Sequence, residues 1–222
     1  MRTLRRLGLL AALWGLAWGA LQVHARLLDA VPPMSIPLAR AVKRVATGFD
    51  NVVADGYFLA FIHHFGGSLR ERRKVRQAAP VLELITDLDP HFEGAYVLGT
   101  LALGDAGQLE AADALWHKAV AANNRRWQLP YQAGMTMFLF GDQPDQYLRA
   151  ARWFGRAASL PGAPPEARFM EGRMYQVTER RALAIALWRD IYLHDPRPTS
   201  RDVAARTLQA WGVPLPKTPR QR

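Results

Sequence analysis

Along the second half of the chain, small and bulky apolar residues return in one order at one spacing. Gly99, Ala112 and Trp116 are followed by Gly134, Ala150 and Phe154, then by Gly172, Ala184 and Trp188, with Pro196 closing the last block. Equivalent positions lie 34 to 38 residues apart, the period of a helix-turn-helix unit copied along a chain. No run alternates apolar and polar residues between turn clusters, so strands are not predicted. The small residues allow two antiparallel helices to approach closely, and the bulky residue four positions on fills the gap to the next pair. One pair cannot bury its apolar face alone, so the units are expected to stack and to end in a helix with a polar outer face. Residues 199 to 211 predict that helix: Thr199 or Ser200 caps it, Val203, Leu208 and Trp211 lie inward, and Gly212 stops it. Residues 212 to 222, with three prolines and no apolar period, predict a disordered basic tail.

These blocks resemble the tetratricopeptide repeat family, whose pattern sets a Gly and an aromatic in helix A, a small and a bulky residue in helix B, and a closing Pro. The last block matches without a gap at Gly172, Tyr175, Ala184, Trp188 and Pro196. The block before it matches at Gly134, Phe138, Ala150, Phe154 and Ala157, with about four extra residues near Gly141 to Gln146 that are expected to lengthen the inter-helix turn. An earlier block reads Leu98, Gly99, Ala102, Ala112, Trp116 and Ala119, with one inserted residue near Gly107. A degenerate first block runs from residue 50 to residue 90, with Ala78, Leu82, Ile85 and Pro90 in the helix B columns. Pro80 there should kink helix B or mark its start. The resemblance covers residues 50 to 211. It implies an all-α, right-handed solenoid of about three to four helical hairpins, to which the sequence adds a C-terminal capping helix and an N-terminal transmembrane or signal helix.

The N-terminus adds a second pattern. Arg2, Arg5 and Arg6 precede residues 7 to 23, a run of 17 without charge. Such a run reaches the lower limit of a membrane anchor; it also suits a signal peptide cleaved after Val23-His24-Ala25. Under either reading the positive-inside bias keeps the arginines cytoplasmic and places the rest outside the cytoplasmic membrane. The anchor reading gives a single-pass protein with an extracytoplasmic C-terminal domain, and cleavage near Ala25 gives a secreted or periplasmic one. Arg26, Arg40, Lys43 and Arg44 oppose translocation, and Asp29 offsets only one of them. In the linker, residues 26 to 49, Leu38, Val42, Val45 and Phe49 fall on one helical stripe and Arg40, Lys43 and Arg44 on the other side. That helix either packs on the first repeat or rests on anionic headgroups. Residues 68 to 76 hold five basic side chains and one acidic, a solvated turn or a contact for an acidic partner or lipid.

Charge and composition narrow the function. The net charge of +10 would ordinarily suggest nucleic acid. Residues 1 to 48 carry seven basic and one acidic side chain and residues 217 to 222 three basic, which leaves 19 basic and 18 acidic on residues 49 to 216. A nucleic-acid-binding array should carry the excess itself, so no nucleic-acid partner is expected. There are no cysteines, which excludes disulfides, a thiolate metal site and a thiol nucleophile. His63 and His64 point about 100° apart on a helix, and His91, His117 and His194 are scattered, so no metal site is expected. Neither a phosphate-binding glycine loop nor a nucleophile elbow occurs. Asp89-Pro90 and Asp195-Pro196 suit turns and caps. No cofactor and no enzymatic activity are expected.

What remains is binding. In the family, helix A lines a concave surface whose partner-reading side chains fall at its second, fifth, ninth and twelfth positions. Counted from Phe92, Trp127 and Pro165, the resemblance gives Glu93, Gln128 and Glu166, then Tyr96, Tyr131 and Phe169, then Thr100, Met135 and Arg173, then Leu103, Phe138 and Gln176. An aromatic ladder with a few polar groups suits an extended or helical peptide with apolar side chains. It lacks the Lys and Asn of the family's carboxylate clamp. These aromatics could instead pack on the preceding helix. The resemblance implies binding, and the N-terminal segment adds a place, so the expectation is a protein-binding scaffold in an envelope assembly, held at the membrane by its N-terminal helix. A periplasmic holdase is the alternative, and an enzyme with the repeats as support a remote one. Intact-mass analysis of separated fractions checks the N-terminus: the expected species is membrane-bound and retains residues 1 to 25, whereas a soluble chain beginning at Arg26 would establish cleavage.

Overall fold

The structure is a computed structural model that describes residues 39 to 66 and 78 to 216, all within the unit Pro37–Arg222. The anchor or signal segment, the basic run at 68 to 76 and residues 217 to 222 lie outside the described residues. The described residues form ten helices and no strand: α1 (Ala39–Ala46), α2 (Asp50–Gly66), α3 (Ala78–Leu88), α4 (Glu93–Asp105), α5 (Leu109–Ala122), α6 (Gln128–Phe140), α7 (Pro144–Ala158), α8 (Pro165–Val177), α9 (Arg181–His194) and α10 (Pro198–Ala210). The all-α class expected from the sequence is therefore observed. Packing follows chain order: each helix lies mainly against its predecessor and successor, with α4 also on α6, α3 on α5 and α1 as much on α3 as on α2. Among the described residues no helix is long and apolar enough to cross a membrane.

Three hairpins, α4/α5, α6/α7 and α8/α9, each turn through three residues. At the first, Gly107 adopts φ 74°, its N–H bonds Gly104 O at 2.9 Å, and Gln108 N–H reaches back to Leu103 O at 2.8 Å. That pair of bonds is a Schellman closure, which satisfies helix-end carbonyls and needs a left-handed residue. The same two bonds recur at Glu179 (to Gln176 O, 3.1 Å) and Arg180 (to Tyr175 O, 2.8 Å), and again at Gly212 and Val213 after α10. Gly212 has φ 67°, but Glu179 holds φ 57° with a full side chain.

The middle hairpin corrects an expectation. Its extra residues do not lengthen the turn, which is 141 to 143. They extend α7, so that Ala150 is the seventh residue of its helix whereas Ala112 and Ala184 are the fourth of theirs. Pro144 stands in the first turn of α7, where its fixed φ suits a helix start. The Gln146 side chain accepts the N–H groups of Asp142 (2.7 Å) and Gln143 (3.0 Å), and the Tyr147 hydroxyl donates to Gly141 O at 2.9 Å. These bonds satisfy the turn locally and let the added residues join the helix.

The glycine and aromatic columns meet within hairpins. A Cβ on Gly134 would lie 2.8 Å from the Phe154 ring, and one on Gly172 3.0 Å from Trp188. Phe154 and Trp188 thus fill a gap inside their own pair and not only toward the next. Trp116 does bridge forward, its Nε1 donating to Thr136 Oγ1 on α6 at 3.1 Å. Gly99 instead accommodates Leu82 of α3.

α10 closes the array but not with the predicted cap. Arg197 is the N-cap residue and Pro198 starts the helix, without a side-chain cap bond; Ser200 is buried. Leu208 and Ala204 join Ala184, Trp188 and Ile191 in one apolar cluster, on which Val203, Trp211, Val213 and Leu215 also pack. Val213 and Leu215 fall within the stretch assigned to a tail, and their apolar side chains keep it on the cluster as far as residue 215. Pro80 is the third residue of α3 as described, where an N–H is not required.

Because glycine carries no left-handed penalty, Glu179→Gly should raise stability by about 0.5–1 kcal/mol. Urea unfolding reads this as a higher midpoint with an unchanged slope.

Candidate functional site

The helix A column predicted to read a partner changes character along the array. On α4 it is interior. Tyr96 and Thr100 are fully buried, which removes both from any surface groove. The Tyr96 hydroxyl donates to Pro90 O at 3.3 Å; burial pushes its pKa up to about 12, against a hydrogen bond with Thr86, with Asp87 and Asp89 adding to the rise. Thr100 Oγ1 donates to Tyr96 O at 2.7 Å. Leu103 is buried as well. Glu93 remains partly exposed and pairs with Arg126 at 2.5 Å. The cause is α3, whose residues Thr86 and Asp87 flank the Tyr96 hydroxyl and whose Leu82 covers Gly99.

On α6 the column is half-buried. Tyr131 presents its edge to Trp127 (6.1 Å between centroids) and Phe154 (5.4 Å), and Phe138 lies 6.5 Å from Tyr147. Gln128 and Met135 are likewise half-buried. These aromatics do part of the packing that the sequence left as an alternative.

On α8 the column opens. Phe169 is half-buried and stacks on Trp188, 5.7 Å apart with 26° between planes. Arg173, Gln176 and Val177 are exposed. Together with Met170, Trp188 and Thr207 they line a cleft of about 620 Å³ formed by α8, α9 and α10. Three of the predicted residues, Phe169, Arg173 and Gln176, are thus brought into one cleft. The sequence reading missed Trp188, which the repeat pattern assigns to the core, and Thr207, which comes from the closing helix. The position of Thr207 four residues after Val203 on α10 was the available signal.

The cleft depends on the seat of α10. Asp195, between α9 and α10, is buried and accepts Arg197 N–H (2.9 Å), Arg197 Nε (2.9 Å) and Arg197 Nη2 (2.8 Å). The Arg197 guanidinium holds the Asp195 carboxyl below its ordinary range, against the cost of burial. Asp89 does the same for His91 N–H at 2.9 Å, so both Asp-Pro junctions are side-chain turns.

Charged side chains gather on the helix B side. Arg149 of α7 reaches Glu110 (3.1 Å), Asp113 (3.4 Å) and Asp145 (3.4 Å), and Asp113 also accepts Trp153 Nε1 at 2.7 Å. The Arg149 hydrogen bond lowers the Glu110 pKa. Arg156 lies over the Trp153 ring at 5.7 Å, and His117 packs against it at 4.5 Å. Arg149 thus joins α5 to α7 as one cation set against three carboxylates. Among the described residues no group of His, Asp and Glu side chains is placed to hold a metal ion; His91 meets Asn123, and His194 meets Asp190 at 2.8 Å. No family model, curated protein or solved structure matches the chain.

Asp195 has a lowered folded pKa, so its contribution is present above the unfolded value near 3.9 and is lost as pH falls through the folded one. Asp195→Asn should therefore cost about 1–3 kcal/mol at neutral pH, and the gap to the parent should close in acid. Urea titrations across pH read both.

Proposed function

We propose that the chain is a tetratricopeptide-type interaction scaffold, a right-handed stack of helical hairpins tethered by residues 7 to 23 and displayed outside the cytoplasmic membrane. Its partner is a protein segment, extended or helical, with an apolar side chain for the Phe169–Trp188 floor and an acceptor for Arg173. The observation that carries this reading is the change in the helix A column from buried at Tyr96 and Thr100 to half-buried at Phe169 and exposed at Arg173 and Gln176. Support for the repeat assignment comes from the same glycine-against-aromatic contact in two successive hairpins, Gly134 with Phe154 and Gly172 with Trp188. The anchor would confine the cleft to a membrane surface and raise the local concentration of partners found there.

A photocrosslinking residue placed at Gln176 should capture one discrete partner in stoichiometric yield, and the same residue at Arg125 on the α5–α6 turn should not. Phe169→Ala with Arg173→Glu should weaken that capture about tenfold or more while circular dichroism stays unchanged. Many adducts of unrelated chains would favour a holdase. Equal capture from both positions would end the groove assignment.

A further inference from the structure

α2 is apolar on both sides. Ala54, Phe58, Phe61 and Phe65 are buried on the side that packs against α3. On the other side Val52 and Leu59, seven residues apart and so on one face, are 64% and 67% exposed, and Gly56 and Ala60 are exposed with them. Just before α2, Phe49 is 66% exposed, and beyond the break at Thr47 and Gly48, where φ is positive, Val45 on α1 is 81% exposed. A helix apolar all round belongs in a core or in contact with lipid, and α2 at 17 residues does not cross a membrane.

The charge beside the stripe selects the occupant. α1 carries Arg40, Lys43 and Arg44, all exposed and within eight residues. On α2, Asp55 borders the stripe and Asp50 begins the helix. Residues 1 to 48 carry seven basic side chains against one acidic, whereas residues 49 to 216 are nearly neutral at 19 against 18. A basic helix followed by exposed Val, Phe and Leu side chains is suited to the boundary between anionic headgroups and acyl chains. Distance agrees: 15 residues separate Val23 from Ala39, a reach of at most about 50 Å, so a chain tethered by residues 7 to 23 keeps α1 near the bilayer. We infer that α1 and α2 form a second, peripheral contact with an anionic lipid bilayer, through Val45, Phe49, Val52 and Leu59 inserted among headgroups and Arg40, Lys43 and Arg44 on lipid phosphates. The proximity rests on the anchor proposed above; the surface itself does not.

The chain has no cysteine, so a Leu59→Cys variant of the full chain takes a single fluorophore, and Arg206→Cys, exposed on α10, which packs on α9, serves as reference. Both are reconstituted in phosphatidylcholine vesicles with and without phosphatidylglycerol. With phosphatidylglycerol, the label at 59 should be quenched several-fold more than that at 206 by a quencher on the acyl chains, and shielded from iodide. Arg40→Glu, Lys43→Glu and Arg44→Glu combined should restore iodide access at 59. Equal iodide access at both positions overturns the inference. Shielding from iodide without lipid quenching also overturns it, and indicates a second copy or a protein over α2. Retention on vesicles in high salt reads the tether separately: a chain that washes off in salt, yet is lipid-quenched at 59 in low salt, refutes the tether and keeps the docking surface.

Discussion

The separation of paired helices is set by glycines that lie beneath aromatic rings. At Gly134 the Phe154 ring comes so near that a Cβ would sit 2.8 Å from it, and Trp188 approaches Gly172 almost as closely. An added methyl group cannot be accommodated there without parting the hairpin, at a cost of about 1–3 kcal/mol. Since α8 packs on α7 and α10 on α9, any change in one hairpin shifts the seat of the next. The Phe169–Trp188 stack that floors the cleft is built on this contact, because the ring that covers Gly172 is the ring that Phe169 meets.

The buried threonine hydroxyls are satisfied on their own helices. Thr86, Thr100 and Thr136 are buried, and each hydroxyl donates to the carbonyl four residues back on its own helix, at 2.8, 2.7 and 3.0 Å. Charged contacts run along the helix B side, with Lys118 of α5 paired to Asp87 of α3, and Arg149 of α7 paired to Glu110 and Asp113 of α5. Partly exposed pairs of this kind contribute about 0–1 kcal/mol each, so they serve alignment of alternate helices more than stability. On α8, Arg168 pairs with Asp190 of α9, whereas Arg173 and Gln176 remain exposed.

The two ends of the described chain differ in chemistry. At the N-terminal end α1 and α2 expose large apolar side chains next to cations. At the C-terminal end α10 covers the last hairpin and leaves the Phe169–Trp188 cleft open.

The repeat period determined the helix class and the pairing of α6 with α7 and α8 with α9, because a glycine and an aromatic at fixed spacing have one efficient way to meet; in α4/α5 Gly99 meets Leu82 of α3 instead. It also placed Gly107 and Gly212 at helix ends, where a left-handed residue is required. The destination of the extra residues near Gly141 was not legible: a turn and an added helical turn have the same local composition, and the choice fell to the bonds from Gln146 and Tyr147. Nor could the sequence separate Tyr96 from Phe169, equivalent positions of one column. Only the tertiary structure did so, because α3 lies against the first and no helix covers the second to the same depth. A repeat pattern fixes what each residue faces within its own unit, whereas burial depends on what the neighbouring units bring to that face.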